Sequence, residues 1–242
     1  MDEDRLKRLR SICGIPDTGY VPPKHPAVYT DSFLPIFAVL LQDRNLVLDP
    51  FAGTGKLAMI KNYGFTGTVV CNEIEPEWAN SPYPVDHWHI GDASNMDWAE
   101  DESFDAICTS PTYGNRMADH FEAQDNSRRI TYRHYLGRPL HDQNTGRMQW
   151  GQSYKQKHIE VYKECTRILK IGGLFILNIS DHIRAGKVIP VTDWHRSILI
   201  NLGLSFVDEV QIQTPRMKFG ENSGSRVSHE TIMAFEKHQP EV

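Results

Sequence analysis

The chain has 242 residues, with 26 Lys+Arg against 31 Asp+Glu and 40% hydrophobic residues, the size and balance of one globular domain of roughly 100–250 residues. Disordered and collagen-like classes are excluded. No run of about 18 uncharged apolar residues occurs, and the start, Met1-Asp2-Glu3-Asp4, is acidic, so neither a membrane span nor a signal peptide is expected and the protein reads as soluble and cytoplasmic.

A mixed-charge N-terminal segment, 1–24, leads through a Pro-rich stretch into residues 31–41, an amphipathic helix opened by Asp31. Residues 45–49 (NLVLD) form a short buried strand that runs into a glycine turn, and 54–62 a helix ended by Gly64. Three more strands are expected at 67–72, 85–90 and 104–109. From 114 to 151 the periodicity fails, and a stretch that long inside a compact domain is functional or mobile. A helix at 154–169, a Gly172-Gly173 turn, a strand at 174–179 and a helix at 192–202 follow, and the chain closes with strands at 205–213 and 231–237. Apolar runs alternating with helical patterns predict an α/β fold with a largely parallel sheet, and the last two strands, joined without a helix, an antiparallel pair at one side.

Cys13, Cys71, Cys108 and Cys165 stand alone, with no C-x-x-C pair and no His at ligand spacing, which argues against a disulfide framework or a zinc site. The net charge of −5 argues at first against nucleic acid as a partner. It is unevenly distributed, however. Residues 1–112 carry 8 basic and 17 acidic side chains, residues 113–242 carry 18 and 14.

Two elements point to a ligand. Leu48-Asp49-Pro50-Phe51-Ala52-Gly53-Thr54-Gly55 is a strand, a glycine turn and a helix start, where a ligand can approach the backbone closely. Its spacing is neither the dinucleotide G-x-G-x-x-G nor a Walker loop, which counts against a nicotinamide-dependent dehydrogenase. Glu73, 24 positions after Asp49, ends the second strand, where a carboxylate can accept from ribose hydroxyls. Either element alone is compatible with an ordinary tight turn and surface acids; together they favour a nucleoside-containing cofactor.

These residues resemble the class I S-adenosylmethionine-dependent methyltransferases, whose glycine motif often reads D-P-F-x-G-x-G in the branch that methylates exocyclic amines. The resemblance runs from His25 to about Lys237. It implies a Rossmann-like doubly wound sheet of order 3-2-1-4-5-7-6, strand 7 antiparallel, in one domain over 25–242 with a substrate-binding insertion at about 114–153. It also implies S-adenosyl-L-methionine as cofactor, with Asp49 and the backbone at Phe51, Gly53 and Gly55 at its methionine end, Glu73 at the ribose and Asp92 at the adenine amine. His25-Pro26-Ala27-Val28-Tyr29-Thr30 is similar to the H-P-A-x-[FY]-P element that closes over the cofactor, placing Tyr29 and Thr30 there, with Thr30 in place of the usual Pro.

Thr109-Ser110-Pro111-Thr112-Tyr113 resembles the [DNS]-P-P-[YFW] motif of amino methyltransferases, whose Ser form is typical of enzymes acting on cytosine N4. A conjugated amine is a poor nucleophile, so hydrogen-bond acceptors must draw its lone pair toward the methyl donor. Ser110 Oγ and the Pro111 carbonyl can accept, and Tyr113 can stack on a flipped base. Thr112 departs from the motif, which has Pro there. The insertion interleaves Arg116, Arg128, Arg129, Arg133, Arg138 and Arg147 with aromatic residues, a mixture suited to phosphates and base stacking; a solvated lid is the alternative. Asp181, in Ser180-Asp181-His182, either contacts the substrate or caps a helix. Arg216, Lys218 and Arg226 form a weaker basic segment. The reading is a methyltransferase acting on an exocyclic amine of a DNA base, cytosine N4 before adenine N6. The rivals are an RNA guanine-N2 methyltransferase and a catalytically inactive cofactor-binding regulator.

Overall fold

The computed structural model describes residue 25 and residues 30–79, 81–114, 132–214 and 227–239. Seven strands form one sheet: β1 (Leu46–Asp49), β2 (Thr68–Glu73), β3 (His87–Ile90), β4 (Phe104–Thr109), β5 (Leu169–Ile179), β8 (Leu204–Gln213) and β9 (His229–Lys237), in the order β3-β2-β1-β4-β5-β9-β8. The first five pair in parallel, and β9 runs antiparallel to both β5 and β8. Counted among these seven, β8 and β9 are the sixth and seventh, so the expected order 3-2-1-4-5-7-6 is observed. A hairpin expected from nothing in the sequence, β6 (His182–Arg184) with β7 (Lys187–Ile189), leaves the end of β5.

The strands read as continuous apolar runs because both faces of the sheet are covered. Leu48, Val70, Ile107, Phe175, Leu177, Met233 and Phe235 share one buried cluster with residues of α3 (Gln152–Ile168) and α4 (Val191–Asn201). Their neighbours Val47, Val69, Cys71, Ala106, Cys108, Ile176 and Ile232 face the opposite way, onto α1 (Leu34–Leu41) and a 3-10 helix at Lys56–Tyr63. The alternation follows from the two-residue period of a strand. Cys71, Cys108 and Cys165 are buried free thiols. No helix among the described residues is long and apolar enough to cross a membrane.

Several boundaries differ from the expected ones. The segment after the glycine turn winds as 3-10 helix, with Gly55 (φ 72°) before it and Gly64 (φ 93°) closing it, both left-handed. Strand β5 begins at Leu169, five residues earlier than its apolar run, because Leu169 pairs with Phe104 before the register shifts to Ala106 and Leu174. The Gly172-Gly173 pair therefore lies inside an irregular strand; Gly172 sits at φ 73° and its carbonyl accepts from Arg44 Nη1 at 3.0 Å.

Parallel pairing aligns the carboxyl ends of β1, β2 and β4, and with them Asp49, Glu73 and Thr109 at one edge of the sheet. Gly55 anchors this edge. A Cβ there would lie 2.5 Å from Val85 Cγ2 and 2.7 Å from Trp88 Cζ2. Gly55→Ala combines left-handed strain with overpacking, and is expected to destabilise the fold by about 2–4 kcal/mol, read as a lower denaturation midpoint.

Candidate active site

Asp49 is fully buried at the end of β1. Its Oδ1 accepts from the Phe51 backbone N–H at 3.1 Å, shaping the turn, and from Thr109 Oγ1 at 2.6 Å, tying β1 to β4. Phe51 stacks on the His158 ring with centroids 5.4 Å apart. The Gly53 N–H donates to Glu73 Oε2 at 2.7 Å and the Glu75 N–H to Glu73 Oε1 at 2.9 Å. Burial pushes the Glu73 carboxyl up to about 8 against those two donors, with the Glu75 charge adding to the rise. Each carboxylate oxygen keeps acceptor capacity beyond these bonds. Gly53 sits at φ 53°, and a Cβ on it would reach 3.0 Å from His25 Nε2. The His25 ring packs edge-on to Trp78 (4.4 Å) and beside Tyr132 (5.0 Å), so aromatic residues from three parts of the chain roof the glycine turn.

Asp92 follows β3. Its Oδ1 accepts from the N–H and hydroxyl of Ser94, and its Oδ2 from Lys157 Nζ on α3. Burial alone would raise the Asp92 carboxyl, but the Lys157 and Ser94 hydrogen bonds outweigh it and hold it below the usual range. Glu75, fully buried, forms a second anchor. Its Oε1 accepts from the His141 N–H (2.7 Å) and Asn144 Nδ2 (2.9 Å), and its Oε2 lies 2.7 Å from Arg138 Nη2. Arg138 also forks onto both oxygens of Glu77.

The turn after β4 carries a connected set of polar atoms. Ser110 Oγ lies 3.2 Å from Tyr113 Oη, and Tyr113 donates to Glu230 Oε2 at 2.8 Å. Asn178 Nδ2, on β5, donates to Glu230 Oε2 at 2.8 Å and to Ser110 Oγ at 3.2 Å. Thr112 is held twice: its hydroxyl donates to Thr145 Oγ1 at 3.0 Å, and its carbonyl accepts from Tyr154 Oη at 2.6 Å. Tyr154 Oη is also 2.9 Å from His195 Nε2, whose Nδ1 is 2.7 Å from Tyr162 Oη. Because Tyr154 gives its proton to Thr112, His195 must donate from Nε2 and accept at Nδ1 from Tyr162. All three side chains are fully buried, and burial keeps His195 neutral. The neutral Tyr162–His195–Tyr154 chain thus runs from the core to the residue that replaces the motif's second proline.

Among the predicted site residues, Asp49, Phe51, Gly53, Gly55, Glu73 and Asp92 gather around the ends of β1, β2 and β3, while Ser110, Pro111 and Tyr113 stand next to them after β4. Thr30 precedes a 3-10 turn, Asp31–Phe33, whose Asp31 pairs with Lys56 at 2.6 Å and so joins that segment to the helix following the glycine turn. Asp181 Oδ1 accepts from the Thr192 N–H at 2.8 Å, at the start of α4, the helix-cap geometry. Arg133 is exposed on the short helix α2 (Tyr132–Leu136). Tyr29, Arg116, Arg128, Arg129, Arg216, Lys218 and Arg226 lie outside the described residues. Arg138 and Arg147, counted with the basic insertion, pair with Glu75 and Glu77 and with Asp142 respectively. Sequence reasoning missed Lys157, Glu75, Asn178 and Glu230, none of which falls in a motif.

The residues present fit a nucleoside-bearing methyl donor. A buried carboxylate faces a glycine turn, and Thr54 Oγ1 within that turn and His158 Nε2 beside Phe51 are buried with no partner among the described residues. Solved methyltransferases share the architecture. The N-methyltransferase NodS from Bradyrhizobium japonicum superposes with a TM-score of 0.53 at 12% identity, covering 99% of this chain and 100% of that one. A putative sarcosine dimethylglycine methyltransferase from Galdieria sulphuraria gives 0.52 at 15%, covering 86% and 84%, and an S-adenosylmethionine-dependent methyltransferase from Methanosarcina mazei 0.52 at 13%, covering 84% and 97%. The fold is that of the class I methyltransferases. No curated protein matches the chain. The family described as DNA methylase matches residues 104–241, more than half of the sequence: the chain belongs to that family and is an S-adenosylmethionine-dependent methyltransferase.

Hydroxyl groups that donate to Glu73 would favour its ionised form, whereas burial holds its carboxyl up at about 8 in the free protein. Cofactor affinity measured by calorimetry is therefore expected to tighten as pH rises toward about 8, by up to about tenfold per unit, and to level off above it; Glu73→Gln should bind more weakly with a flat profile. Tyr154→Phe leaves the Thr112 carbonyl and His195 Nε2–H without their partner, and should cost about 1–3 kcal/mol in denaturant unfolding.

Proposed function

We propose that the protein transfers the methyl group of S-adenosylmethionine to an exocyclic amine of a DNA base, cytosine N4 in preference to adenine N6. The observation that carries this reading is the 2.6 Å bond between Thr109 Oγ1 and Asp49 Oδ1. It fixes the Ser110-Pro111-Thr112-Tyr113 turn beside the glycine turn, so that an amine held by one meets a methyl donor held by the other. Ser110 in the motif's first position supports cytosine.

Asp49, through the turn it shapes, and the backbone at Phe51, Gly53 and Gly55 would hold the methionine end, Glu73 the ribose and Asp92 the adenine side, with Tyr29 and Thr30 closing over them. When bound, the cofactor supplies an already activated methyl group on a sulfonium. The protein supplies alignment. Ser110 Oγ and the Pro111 carbonyl accept the two amine hydrogens and aim the nitrogen lone pair at the methyl carbon. Tyr113 has its hydroxyl tied to Glu230 at 2.8 Å, which leaves its ring to stack on an extruded base. Arg133, with Arg116, Arg128 and Arg129 from the same insertion, serves the phosphates. With a net charge of −5, non-specific affinity is low and falls further with salt.

The test is methyl transfer from labelled cofactor to DNA, followed by nucleoside analysis. Label in N4-methylcytosine is expected; label only in RNA, or in no polymer, overturns the reading. Ser110→Ala should lose at least about 100-fold in transfer while calorimetric cofactor affinity stays within about twofold.

A further inference from the structure

The hydrogen bonds around Ser110 have a direction. Tyr113 Oη donates to Glu230 Oε2 at 2.8 Å, and a phenol hydroxyl has a single proton to give. Tyr113 cannot then donate to Ser110, and the 3.2 Å contact between them is donated by the Ser110 hydroxyl. Asn178 Nδ2 donates to Glu230 Oε2 at 2.8 Å, to Ser110 Oγ at 3.2 Å and, longest, to Tyr113 Oη at 3.4 Å, so one amide spans the whole row. Ser110 Oγ thus points its own hydrogen away toward Tyr113, gives one lone pair to Asn178 and keeps the other for a donor from outside.

We propose that Ser110, Tyr113 and Glu230 form a proton exit route for the transferred amine, with Glu230 as its terminal acceptor. This rests on the amine-methylation reading above. As the N–C bond forms and the S–C bond of the sulfonium breaks, the amine nitrogen becomes positive and must shed one proton. A serine hydroxyl alone is too weak a base to take it. In the row, the amine proton moves to Ser110 Oγ, the Ser110 proton to Tyr113 Oη and the Tyr113 proton to Glu230 Oε2. One amine proton is lost, one carboxylic acid is formed, both hydroxyls are restored, and Glu230, half-buried, returns the proton to water. Glu230 acts through Tyr113 and is a positioning residue for it. Asn178 keeps the row in register, because its amide can reach Ser110 and Glu230 together only while β5 and β9 stay paired from Asn178↔Ile232 to Ile179↔Thr231.

The experiment is single-turnover methyl transfer to DNA by the wild-type protein, Glu230→Gln, Tyr113→Phe and the double variant, in H₂O and D₂O. Cofactor and DNA dissociation constants and folding midpoints are measured in parallel. Each single variant should slow transfer by at least about tenfold with cofactor affinity within about twofold. The double variant should be no slower than the worse single one, because both cut the same row. The wild-type solvent isotope effect should collapse toward unity in all three. In the cofactor-free protein, a slowly exchanging hydroxyl proton resonance should be present in wild type and lost in both single variants. Glu230→Asp should recover part of the rate. Wild-type rate and isotope effect in Glu230→Gln, or additive losses in the double variant, overturn the route while leaving the amine-methylation reading intact. A wild-type protein that methylates no nucleic acid overturns both.

Discussion

A buried hydrogen bond of 2.6 Å between Thr109 Oγ1 and Asp49 Oδ1 holds the site together. Asp49 has no exposure, and an uncompensated carboxylate there would be costly. Two of its donors are the Phe51 amide in the glycine turn and the Thr109 hydroxyl on the adjacent strand β4, so the buried charge ties the two turns to each other. The parallel pairing of β1 with β4, Leu48 opposite Ile107, sets the offset that lets them meet. The glycine turn, the roof of His25, Trp78 and Tyr132, and the polar row from Ser110 to Glu230 are arranged around that contact.

Much of this was legible in the chain. Strands covered on both faces must be apolar at successive positions, which is why 104–109 and 174–179 stand out; the glycines at 53 and 55 are needed for positive φ, so the first turn could be read directly. Residues that act across the sheet were hidden. Glu230 reaches Tyr113 from 117 positions away, and only the antiparallel return of β9 against β5 brings it there. Lys157 lies within a helical pattern and looks like a solvated charge, yet it is buried against Asp92. The β6–β7 hairpin turns through Ala185 (φ 49°) and Gly186 (φ 73°), and a turn with Ala where Asn or Asp is usual gives little local signal.

The basic insertion shows how composition and structure diverge. Its excess of arginines drew attention to phosphate contact, but Arg138 is committed to Glu75 and Glu77, and Glu75 also takes His141 N–H and Asn144 Nδ2. The same glutamate gives its own N–H to Glu73. The second half of the insertion is therefore fastened to the end of β2, and a group that orders Glu73 also bears on the segment expected to meet the substrate.

The chain from Tyr162 through His195 to Tyr154 carries a lesson about motifs. In the family pattern a proline stiffens the position that Thr112 occupies here by removing backbone freedom within the turn. This protein fixes the same carbonyl from outside, with a hydroxyl supplied by a helix and oriented by a histidine on another. Covalent stiffness and a tethered hydroxyl are interchangeable solutions. Across relatives, residue 112 should therefore covary with 154 and 195: a proline at 112 frees the two partners to vary, and a threonine there requires them.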